Sequence, residues 1–242
     1  PADPAVVATA ALDKALPGVA CAWLDVTKLG RSGEGVALAL GGVAGRPPEA
    51  QAAVARALAG AGVGVADIDA SGVAPIEPTE CNSIDAFRSI RAPAGVAHIR
   101  TAQRDYEMVM QSEGKFAGKA AAPAVIELDV GDLASFGLFG IDPTGAIEAG
   151  PIGNRATLAG LADGKQLIDL GNGRFRFIIP VDHTGWSGLL LLTGDGGFEN
   201  AAIVAGPGVR TGAWRRQFEA AAAKGSWRSE MVWFRSVDAV SN

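Results

Sequence analysis

The sequence predicts an α+β fold: an N-terminal two-layer α/β sandwich followed by a mainly antiparallel β-sandwich with one C-terminal helix. Three observations lead to this. The first half alternates helix-period and strand-period apolar patterns, and the second half is a series of short apolar runs bounded by Gly, Asp, Asn or Pro. Between them, residues 93–119 shift to a polar composition rich in Gly, Lys and Ala. A length of 242 residues suits two domains. We place them at residues 1–95 and 123–242, with 96–122 a linker or the first element of the second domain.

In the first half, Val6 to Leu16 reads as a short amphipathic helix stopped by Pro17-Gly18. Cys21 to Val26 and Gly35 to Val43 alternate as paired strands, joined by a hairpin at Lys28 to Glu34. Pro47-Pro48-Glu49 opens a helix over Ala50 to Leu58, with Ala50, Val54, Ala57 and Leu58 on one face and Gly60 and Gly62 ending it. An extended stretch, Val65 to Ile76, precedes a helix over Glu80 to Ile90 with Ile84, Phe87 and Ile90 at core spacing. This order packs as two layers.

Ile99 to Met110 is either linker or the first strand of the second domain. Strands are then expected at Ala124 to Leu128, Phe136 to Ile141, Ala156 to Leu158, Arg174 to Pro180, Gly188 to Thr193 and Glu230 to Phe234. Leu170-Gly-Asn-Gly-Arg174 is a turn leading into Phe175 and Phe177, which alternate with arginines. The one helix of this half is Ala213 to Ala223.

Composition narrows the function. Nearly half the residues are apolar and 19% are charged, which marks a globular chain. A net charge of −5 with scattered Arg and Lys provides no basic stripe, so nucleic acid is not an expected partner. No run approaches the ~18 apolar residues of a membrane span. Pro1-Ala-Asp-Pro4 lacks the charged and apolar regions of a leader, so we expect a soluble region from which a signal was removed or which is part of a longer chain.

Two cysteines, Cys21 and Cys81, lie far apart with neither a CxxC spacing nor a neighbouring histidine, which argues against zinc. A Cys21–Cys81 disulfide is expected, and it would place the protein in an oxidising compartment. The alternative is a pair of buried free thiols in a cytosolic protein.

Three blocks of the second half carry a family likeness: Phe136-Gly-Leu-Phe-Gly-Ile-Asp-Pro-Thr-Gly145, Phe175 to Leu192 with its Asp-His-Thr-Gly-Trp-Ser-Gly centre, and Trp227-Arg-Ser-Glu-Met-Val-Trp-Phe234. Together they resemble the C-terminal, non-kinase region of bacterial receptor-type serine/threonine protein kinases, and also sandwich domains of unknown function that accompany surface proteins. Leu16-Pro-Gly-Val-Ala-Cys-Ala-Trp-Leu24 with Gly41-Gly-Val-Ala-Gly45 resembles periplasmic modules of the BON kind. These blocks cover about half of the chain, and none is a catalytic signature. The resemblance implies a periplasmic or other extracytoplasmic sensor or scaffold, tethered through a membrane span outside this chain, with no cofactor and no site residues of its own. Kinase hallmarks are missing from the sequence, so a kinase domain, if the resemblance holds, lies outside it.

Asp182, His183 and Ser187 supply the residue types of a hydrolytic triad. However, a nucleophile elbow needs Gly two residues after the serine, and Leu189 stands there. Triad members also normally converge from distant segments. The plainer reading is a tight turn in which Gly185 takes a positive φ and Trp186 covers the sheet edge. We therefore assign no catalytic residue.

Arg210, Arg215 and Arg216 with Trp214 form the one basic-aromatic cluster. It suits an anionic glycan or a lipid headgroup, with the indole stacking on a sugar face and Trp186 and His183 as further candidate contacts; the partner expected of the whole region is a cell-envelope glycan or protein. A solvated helix face whose arginines cover apolar surface is the alternative. Gly206-Pro-Gly-Val-Arg-Thr-Gly212 superficially resembles a dinucleotide loop, but it lacks the parallel sheet that such a loop needs and reads as a turn with Thr211 as helix cap.

Asp67, Asp69, Glu77 and Glu80 match no calcium-loop spacing, and no metal site is assigned. Trp227 and Trp233 lie around Met231 and Phe234 in a terminal strand, where an exposed tryptophan face would make a ligand platform. The leading functional expectation is a non-catalytic sensor or interaction region. A stand-alone polysaccharide-acting hydrolase or glycan-binding protein is the alternative, and as a hydrolase it would need Asp129 or Asp142 to meet Asp195 or Glu199 across a cleft.

Overall fold

The computed structural model describes residues 3–93, 95–198, 203–206 and 210–239. The fold is α+β, and it divides into two compact units: residues 1–94 with 209–215, and residues 95–208 with 216–242.

In the first unit, helix α1 (Pro4–Ala15) starts where Asp3 accepts the Ala5 amide at 2.9 Å and Pro4 supplies a preset φ. Strands β1 (Ala22–Ser32) and β2 (Gly35–Ala44) form a hairpin closed by Gly33 at φ +59°. The connecting loop expected over Lys28 to Glu34 is shorter than that. Residues from Lys28 to Ser32 pair with β2 after a bulge at Thr27, because β1 is an edge strand that can carry polar side chains.

Helix α2 (Pro47–Gly60) crosses from β2 to the parallel strand β3 (Val65–Pro75), burying Ala50, Val54 and Leu58. These side chains meet Ala8 and Leu12 of α1 and Leu24, Leu38 and Leu40 of the sheet in one core. Alternation sends Trp23 and Val43, paired across the hairpin, to the opposite face.

Helix α3 (Cys81–Ser89) is fixed by its polar face. Asp85 Oδ1 accepts the Cys21 amide at 2.7 Å, Arg88 donates to the Pro17 and Ala22 carbonyls, and Arg91 beyond the helix donates to the Leu24 carbonyl and pairs with Asp25. The spacing of 85, 88 and 91 runs along one helical stripe, so the helix is tied to the backbone of residues 17–25. The Arg91 guanidinium also lies 4.5 Å from the Trp23 ring centroid. Cys21 and Cys81 are joined in a disulfide beside these bonds.

The second unit contains two sheets. The first has the order β10 (Leu167–Gly171), β11 (Arg174–Val181), β7 (Ala120–Asp129), β4 (Ile99–Thr101), with β6 (Val109–Met110) also pairing with β7. The second has the order β5 (Asp105–Glu107), β13 (Arg228–Val237), β12 (Gly185–Gly194), β8 (Ser135–Ile141), β9 (Ile147–Gly153). All pairings are antiparallel except β13 with β5. Ile126, Leu128, Phe175 and Phe177 from the first sheet share a core with Leu138, Leu189, Leu191 and Phe234 from the second. Leu190 and Leu192 are equally buried on the other face of β12, so its leucine run is apolar on both sides.

The segment Ile99–Met110, open between linker and strand in the sequence, supplies β4, β5 and β6. Ala156 to Leu158, expected as a strand, lies in helix α4 (Arg155–Leu161). Asn154 caps it in a reciprocal box with Thr157, and that cap decides a short apolar run whose period is ambiguous. Helix α5 (Gly212–Lys224) precedes β13, and its Phe218 stacks edge-on to Trp227, which also packs on Phe198. Among the described residues no helix is long and apolar enough to cross a membrane.

Candidate functional site

The members of the basic-aromatic cluster differ in burial, and Arg210 is the one packed away from solvent. Arg210 is 6% exposed, and burial pulls its guanidinium below the usual arginine value. Its side chain lies 5.6 Å from the Trp214 ring, and its carbonyl accepts from Asn82 Nδ2 at 2.6 Å. Trp214 meets Phe87 edge to face at 6.1 Å. Trp214 and Arg215 are half-buried and Arg216 is exposed. Thr211 Oγ1 accepts the Trp214 amide at 3.3 Å, as a helix cap does, while Pro207, Gly208 and Val209 of the loop lie outside the described residues.

In the second unit, the guanidiniums of Arg104 and Arg235 lie 5.0 Å and 5.7 Å from the Trp186 ring centroid. Arg235 is held in turn by both carboxylate oxygens of Asp105. The indole of Trp186, a candidate ligand contact in the sequence reading, is thus engaged by cations of its own unit. Trp233 packs against the Cα of Gly188, where a Cβ would approach its ring to 2.7 Å.

His183 Nε2 lies 3.0 Å from Ser187 Oγ, and its Nδ1 lies 3.5 Å from Asp182 Oδ1. Asp182 and His183 belong to the turn into β12 and Ser187 to the strand itself, with Gly185 at φ +111°. Ser187 is 6% exposed. Two of the carboxylates considered for glycosidic acid/base work are engaged by their own turns: Asp142 Oδ1 accepts from the Thr144 and Ala146 amides and the Thr144 hydroxyl, and Asp129 Oδ1 accepts from the Gly131 amide. Glu199 lies outside the described residues. Asp67 and Asp69 point outward from β3, while Glu80 is buried. Among the described residues no group of three or more His, Cys, Asp and Glu side chains could hold a metal ion.

A larger cavity, about 800 Å³, lies in the first unit beside the disulfide. Val19, Ala50, Ala53 and Pro78 give it apolar walls, Cys21 and Cys81 contribute to its lining, and Lys14, Arg46 and Arg56 surround it with Glu49 as the one acid. The Arg46–Glu49 ion pair at 2.9 Å is exposed and therefore weak, so its cation remains available. Gly45 is required here: a Cβ would stand 2.6 Å from Cys21 Sγ and 3.4 Å from Cys81 Sγ. The volume falls in the range of small-molecule sites. Sequence reasoning has no signal for this cleft, since its walls are small residues from three separate segments.

A second cavity, about 180 Å³, is lined by His98, Arg100, Glu127, Asp129, Arg174 and Arg176 in the second unit. Here the sequence does hold a clue, the alternation of Arg174 and Arg176 with Phe175 and Phe177, which puts both arginines on the face away from the core. Comparison of the chain with known proteins finds no matching family model and no similar curated protein.

Proposed function

We propose that this chain is a non-catalytic extracytoplasmic sensor or interaction region of a larger bacterial membrane protein of the receptor-kinase kind, built from a BON-like module and a β-sandwich. Its first unit binds an anionic, part-apolar ligand of the cell envelope in the cleft beside Cys21–Cys81. The observation that carries the reading is that cleft: apolar walls that would take an alkyl or ring body, with Lys14, Arg46 and Arg56 placed to meet a carboxylate or phosphate. The disulfide supports an oxidising compartment, and the three sequence blocks support the receptor likeness.

The test is titration with dodecyl phosphate, followed by amide chemical shifts. Perturbations are expected at Val19, Ala50, Ala53 and Arg56. Replacing Lys14 and Arg56 together by Glu, both on the solvent side of their helices, is expected to weaken binding about tenfold or more. Equal binding of the uncharged dodecyl maltoside, or no effect of the double substitution, would overturn the assignment.

The alternative, a hydrolase, has one observation in its favour, the contacts linking Ser187, His183 and Asp182. A nucleophile must reach its substrate, and Ser187 is buried in the strand. A fluorophosphonate probe distinguishes the two readings: stoichiometric labelling at Ser187 would favour the hydrolase, and its absence is expected.

A further inference from the structure

The small cavity of the second unit lies on the outer face of its first sheet. Strand register places Arg100, Glu127 and Arg176 opposite one another in a row across β4, β7 and β11, and Asp129 opposite Arg174 in a parallel row. Side chains paired in this way stand about 5 Å apart at their Cβ atoms, close enough for several to reach one small ligand. A volume of about 180 Å³ holds one tetrahedral oxyanion and a few waters, each water taking about 30 Å³.

His98 is held at this cavity by a single carboxylate. Glu230 Oε2 accepts the His98 amide at 2.7 Å, and Oε1 lies 2.5 Å from the ring Nδ1. Glu230 is 8% exposed, so the clamp is fixed by packing as well as by hydrogen bonds. A carboxylate facing Nδ1 requires the proton there, which leaves Nε2 as the ring's uncommitted nitrogen.

Around it, Arg176 Nη2 donates to Glu127 at 2.9 Å, while Arg176 Nε is buried with no acceptor. Arg174 is exposed and has no ion pair among the described residues. A buried guanidinium N–H without a partner is costly unless something fills the position. The groups facing the imidazole are Glu230 from β13, Glu127 and Asp129 from β7, Arg174 and Arg176 from β11, and Arg100 from β4. Of those lining the cavity, three cations oppose two carboxylates; Glu230 behind the ring brings the acids to three, and a proton on His98 then leaves the cations in excess.

We infer that this cavity is an oxyanion site for a sulfate or phosphate group, in which Arg174 and Arg176 donate and His98 Nε2 donates once protonated, so that anion binding is accompanied by proton uptake. The site is independent of the first unit's cleft and stands or falls separately from the function proposed for it.

Sulfate is the probe, because its charge is constant over the range in which histidine titrates. Calorimetric titration at about pH 6 and about pH 8, on either side of that range, is expected to show binding several-fold tighter at the lower pH. Proton uptake, measured in buffers of different ionisation enthalpy, should average about a third of a proton per anion, the linkage counterpart of a several-fold change over two pH units. Arg174→Gln, at an exposed position that leaves the fold intact, is expected to weaken sulfate at both pH values. His98→Gln is expected to retain weak binding and lose its pH dependence; this separates His98 from Glu127 and Asp129, whose protonation would also favour an anion. Vesicles containing phosphatidylglycerol distinguish the source: co-sedimentation lost in Arg174→Gln assigns the oxyanion to a lipid headgroup, and no co-sedimentation alongside sulfate binding assigns it to a soluble ligand. The inference is overturned if folded protein gives no sulfate signal at tens of millimolar, or if His98→Gln keeps the full pH dependence.

Discussion

Arg88 shows how a polar side chain positions the first unit's cleft. It is largely buried, donates to two carbonyls of the segment preceding and opening β1, and pairs with Asp85. Replacement by Met keeps the volume but leaves the carbonyls and the carboxylate without their donor, so unfolding in urea is expected to show a loss of about 2–4 kcal/mol. Gly45 is the steric counterpart. Gly45→Val would push a side chain into both sulfurs of the disulfide, and refolded protein is expected to show more reactive thiol than the parent. At Asp163, the amides of Leu167, Lys165 and Gln166 hold the carboxyl below its ordinary value. Because the folded value is depressed, the stability this contributes is complete above the ordinary carboxylate value of about 3.9. It is lost as pH falls through the lowered one. Thermal melts of Asp163→Ala are therefore expected to fall below the parent at neutral pH and to converge with it in acid.

Elements were legible where one period dominated. Helices α1, α2 and α3 lie within a few residues of their sequence readings because buried Leu12, Val54 and Phe87 stand at helical spacing, while β12 was legible as a continuous apolar run. Helix α4 was misread because Asn154 and Thr157 act through a cap that hydropathy does not record. Strands β9 and β10 were missed because their burial is confined to one or two residues, Ile147 and Leu167. The candidate sites were less legible than the elements. The Glu230 clamp on His98 spans 132 positions, and no local pattern connects them. Arg210 and Trp214 were found as a cluster, yet the sequence did not show that Phe87 and Asn82 would pack against them. The disulfide links elements 60 residues apart, and reduction is expected to lower the stability of the first unit by about 4 kcal/mol on a chain-entropy account. Denaturant curves with and without reductant would measure it.

Each unit has its own apolar core and its own charged cavity, and the disulfide belongs to the first. Two carboxylates of the second unit, Asp142 and Asp129, accept hydrogen bonds from amides of their own turns. The account of the whole molecule rests on its compartment and its parent protein. The most direct test is a non-reducing gel of fractionated native cells whose free thiols have been blocked with maleimide, probed with an antibody against this region. The account predicts a membrane-fraction band well above 24.6 kDa, with Cys21 and Cys81 labelled only after reduction. A cytosolic band with both thiols labelled before reduction would contradict it.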